Sequence, residues 1–142
     1  MSSESRPGSD RPSRPGSERP LQGSLQSFDF GAEANRLRDE EAWQEGKRNS
    51  ITLRKGEGMN VVLLVMKAGD RLEEHSAPGP FSLSVHEGSV RFDTAEESVE
   101  ANAGTLLTCD AGVRHTVEAL DDVVCLLTIA GPGWRSGAEA SE

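Results

Sequence analysis

The chain has 142 residues, 35% of them hydrophobic, with 24 acidic against 15 basic side chains and a net charge of −9. The length allows one domain. The acidic surface argues against nucleic acid and anionic membranes as partners, and no apolar run approaches the ~18 residues a membrane span needs.

Residues 5–12 (SRPGSDRP) and 13–20 (SRPGSERP) form an eight-residue repeat holding four of the seven prolines and no apolar side chain. Such a segment cannot bury enough surface to offset the entropy of ordering, so residues 1–24 are expected to be a disordered tail. The tail lacks the apolar stretch of a signal peptide, which predicts a cytoplasmic protein with Cys109 and Cys125 as free thiols. Cys125 sits in an apolar run and reads as a small core residue.

Residues 32–44 (AEANRLRDEEAWQ) fit helical spacing loosely through Ala34, Leu37, Glu41 and Trp43, predicting one short covering helix that Gly46 stops. After Asn49 the pattern changes to strands and turns. Ile51–Lys55 is a short strand, and Met59–Lys67 is nearly continuous apolar and β-branched, as a strand covered on both faces must be. Arg71–His75 leads into the loop SAPGP (76–80). Phe81, Leu83 and Val85 then alternate with Ser82, Ser84 and His86, the pattern of a half-buried strand. Turns at EGS (87–89), NAG (102–104), DAG (110–112) and LDD (120–122) punctuate further strands up to Val123–Ala130. About eight short strands at regular spacing mean an all-β sandwich or barrel, and long helices between strands are missing from the pattern.

Two stretches carry chemistry. Residues 69–88 (GDRLEEHSAPGPFSLSVHEG) place Gly69, His75 and Gly88 at the spacing of the first cupin motif, glycine, five residues, His-x-His, Glu and a closing glycine. Residues 104–115 (GTLLTCDAGVRH) place Gly104, Gly112 and His115 at the spacing of the second, with Asp110 where that motif has proline. From Asp39 to Ala130 the chain resembles small single-domain bacterial cupins. The resemblance implies a double-stranded β-helix, a jelly-roll barrel, over residues 25–134, a range that includes the short N-terminal helix; residues 135–142 read as a disordered polar tail. The resemblance also implies a homodimer.

In cupins that bind metal, three His and one Glu converge on a divalent cation such as Fe, Mn, Ni or Zn. Carried over residue by residue, that set leaves His75 and His115 here. Ala77 stands at the second His position and Phe81 at the Glu position. His86 differs in parity from Phe81 and should face away from the barrel interior. Of the acidic neighbours of His75, Glu74 is out of phase and Glu73 lies two residues back. The interior is expected to be apolar, built from Val62, Leu64, Phe81, Leu83, Val85, Leu106, Val117 and Leu127. His75, His115, Phe81, Ala77 and Leu83 are expected to line a ligand pocket. Three readings follow: a binding cupin that takes a small, partly apolar molecule, a carboxylate or a phenol, on the two imidazoles; a metal-dependent dioxygenase or isomerase on His75 and His115; and a purely structural role with a vestigial cavity.

Overall fold

The computed structural model describes residues 21–131. The repeat and the C-terminal residues 132–142 lie outside the described residues. Residues 21–24 run beside the first strand: the Lys55 N–H donates to the Leu21 carbonyl at 3.0 Å, and the Arg54 guanidinium donates to the Gly23 carbonyl at 2.9 Å.

Helix α1 (Phe30–Asp39) starts at Asp29, whose side chain accepts from the Ala32 N–H at 3.1 Å. Glu33 in the first turn and Arg36 and Arg38 in the last suit the helix dipole. The single helix expected over 32–44 is two. Glu40 is extended (φ −83°, ψ 155°), and the four-residue α2 (Glu41–Gln44) follows it. Buried Asn49 explains the break. Its amide donates to the Leu37 carbonyl and to the Glu40 carboxylate, both at 2.9 Å, so the helix end is tied to the first strand instead of continuing.

Nine strands follow among the described residues: β1 (Arg48–Lys55), β2 (Met59–Met66), β3 (Arg71–His75), β4 (Phe81–Glu87), β5 (Ser89–Asp93), β6 (Ser98–Asn102), β7 (Leu106–Cys109), β8 (His115–Ala119) and β9 (Val123–Ala130). They form two antiparallel sheets, β1-β2-β9-β4-β7 and β3-β8-β5-β6. The sheets pack face to face around one apolar cluster that includes Met66, Phe81, Leu83, Val85, Phe92 and Val117. A second cluster lies on the other face of β1 and β2, where Ile51, Leu53, Leu63 and Val65 are covered by Ala34 and Leu37 of α1. Strand β2 is therefore apolar on both faces for two separate reasons, the interior on one side and the helix on the other.

Two expected interior residues stand elsewhere. Leu106 is 62% exposed. It is the first residue of β7, and the pairs Phe81↔Cys109 and Leu83↔Leu107 put Leu107 and Cys109 on the interior face, which turns Leu106 outward by strand alternation. Val62 is half-buried and belongs to neither cluster.

All four motif glycines have positive φ: 91° at Gly69, 78° at Gly88, 92° at Gly104 and 81° at Gly112. The spacing that marks the motifs is thus a record of four turns whose backbone L side chains rarely adopt. Gly88 is also sterically closed, since a Cβ there would lie 2.2 Å from the Asp122 carbonyl oxygen.

Candidate functional site: a two-imidazole cavity between the sheets

The five residues expected in the pocket, His75, Ala77, Phe81, Leu83 and His115, all line one cavity of about 230 Å³ between the sheets. Its remaining wall is almost wholly apolar, with Leu64 and Met66 from β2, Phe92 from β5 and Cys125 from β9. Ser76 and Pro78 of the 76–80 loop stand at its lining as well. That loop is held by the Gly112 N–H, which donates to the Ala77 carbonyl at 2.9 Å and so ties the first motif to the turn of the second.

His75 ends β3 and His115 begins β8, and the two are partners across the ladder. Their ring centroids lie 4.3 Å apart at an interplanar angle of 59°. Between Leu72 and His75 the register shifts: Leu72 pairs with Val117, yet His75 pairs with His115. Strand β3 thus carries one extra residue, a β-bulge, which returns His75 to the face that Leu72 occupies. Simple alternation from Leu72 would have put Glu74 there.

The acidic neighbours are turned away from the rings. The Glu74 carboxylate pairs with Arg114 at 3.4 Å and that of Glu73 with Arg71 at 3.8 Å. His86 sits on the outer surface, as its parity requires, beside the Ser84 hydroxyl (3.1 Å) and the Phe30 ring (4.7 Å between centroids).

The two histidines occupy unlike environments. His75 is exposed at the cavity mouth, whereas His115 is 4% exposed. Phe92 stacks on the His115 ring at 4.9 Å and 13°, and Phe81 lies 5.1 Å away. Burial pushes the His115 pKa below its ordinary 6.5; its bond to the Val113 carbonyl works the other way, and the nearby His75 adds to the lowering. Each Nδ1 meets the carbonyl oxygen two residues back, His75 with Glu73 at 2.7 Å and His115 with Val113 at 2.9 Å. The Cys125 thiol, held in the same wall, is pushed up to about 12 by burial.

A resident metal does not fit these donors. Catalytic zinc takes three protein ligands as a rule. Here Ala77 offers a methyl group and Phe81 a hydrocarbon ring at the positions where metal-binding relatives of this pattern carry ligands. Among the described residues no group of three or more His, Cys, Asp or Glu side chains is placed to share an ion.

No protein-family model and no curated protein sequence matches the chain. Solved structures do. An RmlC-like cupin from Desulfovibrio desulfuricans is 22% identical, with 80% of this chain and 97% of that one covered and a TM-score of 0.54. A cupin-2 domain protein from Shewanella frigidimarina is 12% identical over 72% of this chain and 93% of its own, with a TM-score of 0.59. A cupin superfamily protein from Desulfitobacterium hafniense is 13% identical over 60% and 78%, with a TM-score of 0.58. The chain has the cupin fold.

In this cupin the strand residues of the cavity wall that the sequence analysis did not assign to the interior are Met66, Leu72, Phe92 and Ile129. Phe92 matters most, because it stacks on His115. Its place opposite the second motif depends on β5 pairing with β8 through Phe92↔Val117, a long-range contact that local pattern does not carry.

Proposed function

We propose that this cupin is a small-molecule-binding protein whose ligand enters the cavity between the sheets with its polar group at His75 and His115. One observation supports this above the others. Two imidazoles from distant segments meet at 4.3 Å at a cavity whose remaining wall is almost wholly apolar. One polar ring buried in an apolar shell and a second at its mouth match the usual layout of a ligand site, where the shell supplies affinity and the few polar atoms fix orientation.

The rival reading, a metal-dependent dioxygenase or isomerase, draws support from the two Nδ1 bonds to carbonyl oxygens, an arrangement common to metal-bound imidazoles. It lacks donors at Ala77 and Phe81. Elemental analysis after mild chelation separates the two. Folded protein without stoichiometric Fe, Mn, Ni or Zn, and with a small molecule seen by native mass spectrometry, is the expected result. Stoichiometric metal that disappears in His75→Ala would overturn it. We further propose that the protein acts in the cytoplasm as a homodimer. Two free thiols are consistent with that location, and light scattering on the purified chain tests the assembly.

A further inference from the structure

The imidazole end of the cavity presents acceptors, and no Lys or Arg stands in the lining among the described residues. From this we propose that the ligand is a neutral single-ring molecule carrying an O–H donor, a phenol, and not a carboxylate. This rests on the binding reading above and deepens it.

The hydrogen-bond partners decide the tautomers. A carbonyl oxygen only accepts, so the Nδ1 of each ring, at 2.7 and 2.9 Å from its carbonyl, carries the hydrogen. A neutral imidazole has one N–H, so with both rings neutral each Nε2 is a lone-pair acceptor. Neither Nε2 has a protein partner among the described residues. Several features hold His115 neutral. It is buried, stacked on Phe92, flanked by Phe81 and next to a second imidazole with which a like charge would repel. The carboxylates that would favour imidazolium, Glu73 and Glu74, are paired with Arg71 and Arg114. A carboxylate anion placed at this end would meet lone pairs, and its own desolvation would go uncompensated. The one hydroxyl in the lining among the described residues, that of Ser76, is exposed at the mouth. A phenol O–H donates to Nε2 and leaves its ring against Phe81 and Phe92.

Size limits the rest. An apolar cavity of about 150 Å³ accepts benzene. The roughly 230 Å³ here leaves room for one ring with a small substituent.

The test compares three probes of like shape by calorimetry on the full chain at pH 8: 4-methylphenol, toluene and benzoate. Binding of 4-methylphenol should exceed that of toluene by about fivefold, the worth of one neutral hydrogen bond, with benzoate weakest. The preference for 4-methylphenol over toluene should shrink to less than about twofold in His115→Leu. His75→Ala, at an exposed position, supplies a second variant whose fold is secure. Equal binding of toluene and 4-methylphenol, or benzoate as the tightest of the three, overturns the phenol assignment and leaves the pocket standing. Failure of all three to bind the folded protein removes the pocket reading, and the phenol with it.

Discussion

His75 and His115 occupy one rung of the β3–β8 ladder, reached through a bulge, yet one ring stands at the mouth and the other in the core. The bulge explains how both faces of the problem are met. Regular pairing from Leu72↔Val117 would bring Glu74 opposite His115 and place a carboxylate beside an apolar cavity. The extra residue sends Glu74 out to Arg114 and returns His75 to the interior face. The Glu73 carbonyl then meets the His75 Nδ1 at 2.7 Å and fixes the ring.

That shared rung predicts an asymmetric response to substitution. His75→Ala removes an exposed ring and should change stability by less than about 0.5 kcal/mol. His115→Ala removes a ring packed against Phe81 and Phe92 and strands the Val113 carbonyl, so a loss of about 2–3 kcal/mol is expected. Both variants should weaken ligand binding. Urea unfolding paired with calorimetry separates the effects. Equal destabilisation by the two substitutions would contradict the environments described for the rings.

The pH dependence of stability should carry the mark of His115. Its folded-state pKa lies below the ordinary 6.5, because burial disfavours the charged ring. Between the folded value and 6.5 the unfolded chain binds more protons than the folded one, so stability rises with pH across that window. The contribution is complete above 6.5 and is lost as pH falls from there through the folded value. Urea midpoints taken from pH 8 to pH 5 should decline in the native protein, and His115→Leu should decline less. A decline of the same size in the variant would assign the acid sensitivity to other groups.

Much of this was legible in the chain, and the reasons differ from place to place. The β-rich architecture was readable because Phe81, Leu83 and Val85 alternate with serines and His86, and because the turns fall on glycines with positive φ. The meeting of His75 and His115 in one pocket was implied by the resemblance of their two stretches to the cupin motifs. The bulge was not, since nothing in RLEEH marks an extra residue; it arises from what β8 places opposite. Leu106 was misplaced for a related reason. Whether the inward set of β7 is Leu106 or Leu107 is decided by its register against β4, a contact between distant segments. The helix break at Glu40 depends on Asn49, nine residues on, whose amide bonds are made only once β1 is in place.

The motif glycines should not respond equally to alanine. At Gly112 (φ 81°) a Cβ would meet open space, so Gly112→Ala should cost about 1–2 kcal/mol for backbone conformation alone. At Gly88 (φ 78°) the same backbone cost is joined by a contact of 2.2 Å with the Asp122 carbonyl, which belongs to the turn between β8 and β9 and has no flexible end to move aside. Gly88→Ala should therefore cost about 3 kcal/mol or more, or prevent folding. Comparison of urea midpoints at equal slope checks the order. Similar losses at the two sites would mean that the Asp122 turn gives way freely.

The two thiols should differ in reactivity. Cys125 is 1% exposed in the cavity wall, with its thiol pushed up to about 12 by burial, so almost no thiolate is present at pH 8. Cys109 is half-buried on β7, and its pKa is raised by burial and then by the Asp110 carboxylate. A bulky disulfide reagent at pH 8 should titrate one thiol slowly in the native protein and two rapidly in urea. Cys109→Ser should leave the native protein unreactive. Reaction of Cys125 at the denatured rate in that variant would mean that the cavity wall opens to solvent far more often than its packing against Leu64 and Val85 allows.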